Sequence, residues 1–182
     1  MKKLLVLTSI LALAGSALGQ GTVNFVNFGA GLDGRVTTAA GVMAGSDYWG
    51  QLWAGPTADS MAAVGVPVAF RNTSAGAPSG IVNGGSVTID SIAAGGAAFV
   101  QLRAWAAASG SSWDEAVSQM VYEAGQSGTI NLPNTGNPNA SPPGLPVALT
   151  GLQPFQLEVI PEPSTWALLL LGLGALALRR RK

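Results

Sequence analysis

The sequence has no cysteine and no histidine. Without cysteine there is no disulfide to staple the chain and no lipidated N-terminal thiol, so folding has to rest on burial. Without histidine the usual general base and the commonest metal ligand are missing. Charge is scarce as well, at 10% of residues, against about 25% in an ordinary globular chain. It is also unevenly placed. Of nine Lys and Arg, Lys2 and Lys3 open the chain and Arg179, Arg180, Arg181 and Lys182 close it. Arg35, Arg71 and Arg103 are the only cations between. That middle region holds Asp33, Asp47, Asp59, Asp90, Asp114, Glu115, Glu123 and Glu158, so it is negative by about five charges. The balance argues against a nucleic-acid partner held through its phosphates.

The N-terminus reads as an export signal. Met1-Lys2-Lys3 is a positive start, Leu4 to Leu13 is apolar apart from Thr8 and Ser9, and Ala17-Leu18-Gly19 is a small-x-small cleavage site. Cleavage between Gly19 and Gln20 makes residues 1–19 a signal peptide, handled by the Sec machinery and signal peptidase.

The C-terminus has three parts in order. Pro161-Glu162-Pro163 is stiff, because each proline fixes φ, lacks an N–H and pushes its predecessor towards extended geometry. Ser164 and Thr165 are good helix N-caps. Every residue from Trp166 to Leu178 is apolar or glycine. Such a helix is about 20 Å long, against a hydrocarbon core of roughly 30 Å. Trp166 at one interface and snorkelling basic side chains at the other extend its reach. Arg179, Arg180, Arg181 and Lys182 form a cytoplasmic stop and leave Glu162 on the outer side.

This tail resembles the PEP-CTERM sorting signal of Gram-negative bacteria, which joins Pro-Glu-Pro, a short hydrophobic helix and an Arg-rich end. The resemblance covers residues 161–182 and implies handling by an exosortase, a membrane protease-transpeptidase. It assigns Pro161, Glu162 and Pro163 as the recognition element. It also implies an inner-membrane-anchored precursor that reaches the cell surface or the medium after processing, in association with extracellular polysaccharide.

Residues 20–160 form one exported domain by length. Short alternating runs separated by Gly, Pro, Asn and Ser predict an all-β fold. Thr22 to Phe25 alternates and then shifts phase, as at a bulge. Tyr48 to Ala54 and Ala98 to Trp105 are the clearest strands. Val66 to Phe70 contains Pro67 and so suits an edge. Ser86 to Asp90, Thr129 to Leu132 and Phe155 to Ile160 also alternate. Ser112-Trp113-Asp114-Glu115 has capping-box spacing and predicts one short helix. Residues 133–148 are turn-rich and read as a loop or linker. The spacing predicts a single β-sandwich or jelly-roll-like domain, flanked by the signal-peptide helix and a C-terminal transmembrane helix.

Three motifs have simpler explanations than chemistry. Gly29-Ala30-Gly31-Leu32-Asp33-Gly34 matches a dinucleotide fingerprint, but β-branched residues follow where a helix is needed. Leu132-Pro133-Asn134-Thr135-Gly136 matches a sortase signal, but a further expected strand separates it from the hydrophobic segment that should follow it directly. Asp114 and Glu115 are adjacent acids at a helix start, where capping explains them. No cofactor and no metal ligand set is indicated; Asp33, Asp47, Asp59 and Asp90 lack EF-hand spacing.

Trp49, Trp53 and Trp105 alternate on strand faces. Such residues pack a core or, when exposed beside Gln51, Gln101 and Arg103, make a platform for sugars. The alternation leaves both options open. The leading expectation is a non-enzymatic cell-surface or matrix protein. The alternatives are a carbohydrate-binding module on the Trp49, Trp53 and Trp105 face and, behind it, an extracellular hydrolase.

Overall fold

The computed structural model describes residues 19–29, 31–119 and 122–159. Both expected terminal signals therefore lie outside the described residues, apart from Gly19 and Gln20 at the expected cleavage site.

The described chain is mostly strand, with one short α-helix. The strands in order are β1 (Gln20–Val26), β2 (Phe28–Gly29), β3 (Leu32–Asp33), β4 (Val36–Thr37), β5 (Tyr48–Gly55), β6 (Ala62–Ala69), β7 (Arg71–Asn72) and β8 (Pro78–Ile81). They continue as β9 (Asn83–Ala93), β10 (Ala98–Ala106), then helix α1 (Trp113–Ser118), β11 (Glu123–Gln126), β12 (Ile130–Leu132), β13 (Val147–Ala148), β14 (Phe155–Gln156) and β15 (Glu158–Val159). One sheet has the order β13-β1-β9. The larger sheet runs β15-β11-β10-β5-β6, with β12 also paired to β10.

The two sheets share one core because alternation turns their apolar residues towards it. Val23 and Phe25 of β1, Ile89 of β9, Leu52 and Ala54 of β5, and Val100 and Leu102 of β10 belong to a single buried cluster. β5 and β10 are antiparallel, with Leu52 opposite Leu102 and Trp49 opposite Trp105. β6 is an edge strand, in keeping with Pro67, and it bulges. Val68 faces Gly50 and Val64 faces Leu52, so Gly65 to Pro67 lie against Gln51 alone. Gly65 takes φ +67° there, and Gln51 Nε2 donates to its carbonyl at 2.9 Å. Glycine adopts that conformation without the Cβ penalty.

β11 and β12 share one edge of β10, and Ser127 fills the break between them. Its N–H donates to the Leu102 carbonyl at 2.8 Å and its hydroxyl accepts from Leu102 N at 3.0 Å. Residues 133–148, expected as a loop or linker, are irregular apart from β13 and dock on the smaller sheet. Gly136 exchanges backbone hydrogen bonds with Thr22, and Val147–Ala148 pairs in parallel with β1. The sortase-like stretch is thus part of the fold, with Thr135 3% exposed. The glycine-rich stretch is the β2–β3 hairpin, with Phe28 opposite Asp33. β4 follows it rather than a helix.

Asn27 sits between β1 and β2 and is fully buried. Its Nδ2 donates to the carbonyls of Gly34 and Gly80, both at 2.9 Å, and its Oδ1 accepts from Val82 N at 2.8 Å. A buried amide is tolerated when its donors and acceptor are satisfied in this way. No apolar helix long enough to cross a membrane is present among the described residues. The expected transmembrane helix falls outside them.

Candidate functional site: the C-terminal exit and the outer face of the larger sheet

The chain is fixed to the fold up to the residue where its terminal segment begins. Phe155 and Gln156 pair in parallel with Val36 and Thr37. The Gln156 amide donates to the carbonyls of Thr38 at 3.1 Å and Ala39 at 3.0 Å. Leu157 is fully buried and its N–H donates to Thr37 O at 2.8 Å. The expected single strand from Phe155 to Ile160 is split here, because Leu157 drops into the core between β14 and β15. Glu158 and Val159 then pair with Ala124 and Glu123 at the sheet edge, with both side chains exposed. Pro161 comes two residues later, so no spacer separates the last strand from Pro161-Glu162-Pro163. Those three residues and Arg179, Arg180, Arg181 and Lys182 lie outside the described residues.

At the other end Gly19 and Gln20 are already part of the fold. The Gly19 carbonyl accepts from Ala94 N at 2.7 Å, and Gln20 opens β1 opposite Ala93.

The outer face of the larger sheet carries the aromatic residues. Trp105 is fully buried there and lies under α1 with Ala116 and Ala124. Its ring meets Trp49 edge-on at 6.4 Å and Trp113 at 6.2 Å, and its indole N–H donates to Gly110 O at 3.0 Å. Trp105 is therefore unavailable to a ligand, which corrects its place in the Trp49, Trp53 and Trp105 platform. The helix starts as its sequence predicts. Ser112 Oγ accepts from Glu115 N at 3.3 Å, while Glu115 Oε2 accepts from Ser111 N at 2.9 Å. The return arm reaches one residue before the cap, so Glu115 is occupied in capping. The helix ends at Ser118.

Trp49 and Trp53 are half-buried. Arg103 lies over the Trp53 ring, with its guanidinium carbon 3.7 Å from the centroid, and stands 5.2 Å from the Trp113 centroid. Its Nε donates to Gln101 Oε1 at 3.0 Å. Burial pulls the Arg103 guanidinium below its usual range, and the charge of Asp114 opposes that shift. Gln51 and Gln101 do not offer free amides as anticipated: their Nε2 groups are bonded to Gly65 O and Ser127 O. The Trp53 indole nitrogen is buried and has no hydrogen-bond partner among the described residues.

A second concavity escaped the sequence reading. Thr38, Asp47, Tyr48, Asn72 and Glu123 help to line a cavity of about 430 Å³. Glu123 Oε2 accepts from Tyr48 OH at 3.0 Å and from Ala39 N at 3.1 Å. Burial, then the hydrogen bond to Glu123, then the charges of Glu123 and Asp47 push the Tyr48 phenol up to about 12. Tyr48 and Glu123 are 75 residues apart, so no local spacing signals their meeting. No group of three or more metal-ligating acid side chains is present among the described residues.

No curated protein and no solved structure matches the chain. The family model of the PEP-CTERM protein-sorting motif matches residues 159–182, and so begins on the last described residue of β15. The chain carries a PEP-CTERM sorting motif, the mark of an exported protein processed by an exosortase.

Proposed function

We propose that this is a non-enzymatic cell-surface or extracellular-matrix protein. Residues 1–19 direct export through the Sec machinery and are removed by signal peptidase before Gln20. Residues 20–160 fold as a two-layer β-sandwich around the shared core. The segment after Pro163 holds the precursor in the inner membrane, with Arg179, Arg180, Arg181 and Lys182 on the cytoplasmic side, until an exosortase cuts near Pro161-Glu162-Pro163. The product then joins the extracellular polysaccharide. The observation that carries this reading is the sorting motif beginning where the fold ends. Removing residues 161–182 should move the protein from the membrane fraction into the medium. An unchanged distribution, either on that deletion or on Glu162→Ala, would contradict it.

A second reading has an observation of its own. The Trp53, Arg103 and Trp113 stack places aromatic rings and a fixed cation on an outer sheet face, which suits contact with a saccharide. In this reading the domain carries its own carbohydrate-binding face, built on Trp53 and Trp113, with Trp105 beneath as support. A change of intrinsic tryptophan fluorescence on adding an oligosaccharide supports it, and the absence of any response counts against it.

A further inference from the structure

Arg103 is a cation with an unusual setting. It is half-buried, and the only ion pair among the described residues is Arg35 with Asp33, at 2.8 Å. Of its five N–H donors, the described hydrogen bonds use only the one on Nε, which points to Gln101. Its guanidinium carbon lies over the Trp53 ring at 3.7 Å and over the Trp113 ring at 5.2 Å, so the group is held in place before any ligand arrives. Gln101 is itself fixed by Ser127 O, which secures the orientation from below. Gln126 stands opposite Arg103 in the ladder and is exposed and uncharged. Asp114, at the start of α1, is the one acid whose charge is felt at Arg103, and it makes no ion pair with it.

We propose that Arg103, fixed between Trp53 and Trp113, is the anion-recognising centre of a binding site for a carboxylate-bearing saccharide. A guanidinium presents parallel N–H donors that match a carboxylate two-to-two. Pre-orientation lowers the entropy lost when a ligand is held. The guanidinium covers one face of each indole, so apolar contact with a sugar comes from the indole surface it leaves open. A neutral sugar would leave the Arg103 charge unanswered, whereas a uronic acid unit answers it. The assignment rests on the carbohydrate-binding reading above and narrows it to acidic sugars.

The test is a tryptophan-fluorescence titration of the full chain with oligogalacturonate and with its fully methyl-esterified form. The acid form should bind at least tenfold more tightly than the ester. Arg103→Lys, which keeps the charge and loses the fork, should weaken the acid form at least tenfold and leave the ester unchanged. Asp114→Asn, at an exposed position, should tighten the acid form about twofold, and it serves as the test if Arg103→Lys does not fold. Equal binding of acid and ester would overturn the Arg103 assignment and leave carbohydrate binding standing. A preference for the acid that survives Arg103→Lys, or weaker acid binding in Asp114→Asn, would also overturn it. No response to either form would remove the carbohydrate reading, and this assignment with it.

Discussion

Asn27 ties its own segment to Gly34, close by in sequence, and to the distant Gly80 and Val82. Replacing it with alanine leaves two carbonyls and one N–H without partners in a buried place. An unsatisfied buried group costs about 1–3 kcal/mol. Asn27→Ala should therefore destabilise the protein by at least ~3 kcal/mol, read as a lower midpoint in urea; a loss under 1 kcal/mol would show that the amide is not a hub. Tyr48 makes a different prediction. Its folded phenol is raised to about 12 from an ordinary value near 10. The fold thus favours the protonated form. The stability this contributes is complete below about pH 10 and is lost as pH rises through about 12. Tyr48→Phe should flatten the fall in stability across that window. An equally steep fall would place the alkaline transition elsewhere.

Helix α1 is the element that decides what the outer face can do, because it covers Trp105 and brings Trp113 to Arg103. Its N-cap is Ser112, and Ser112→Ala should cost about 1 kcal/mol. The same substitution should shift tryptophan emission, since Trp113 follows the cap directly. The long strands were legible beforehand. β5 and β10 alternate over eight and nine residues, enough to show a period of two. The two-residue strands β4 and β13 were not, because two residues carry no period and their partners are distant. β14 pairs with β4, and β13 with β1, both in parallel, across more than a hundred residues. The fate of Trp105 was hidden for a related reason. Alternation places it opposite the core-facing Leu102, but cannot tell that a helix returns to cover that face. The capping of α1 was legible, because it depends on residues three apart.

At the scale of the whole molecule, two basic ends bracket an acidic domain, and the fold closes tightly on both. Gly19 is bonded to Ala94, and Val159 is paired with Glu123. The described residues next to each proposed processing site are therefore part of the folded body. Signal peptidase would have to act before β1 docks, whereas the exosortase would approach a finished sheet edge at β15. The C-terminal sorting motif was fully legible, since it is a local run of residue types. What the domain binds was not, because the Trp53, Arg103 and Trp113 stack and the Tyr48–Glu123 contact arise only from folding. The central claim is that the mature protein is exported and trimmed at its sorting motif. The intact mass of the protein recovered outside the cell tests this most directly, in strains with and without the exosortase. The account predicts a chain that begins at Gln20 and lacks Arg179 to Lys182, and that disappears from the medium when the exosortase is deleted. A secreted chain that keeps its basic end, or whose mass is the same in both strains, would contradict it.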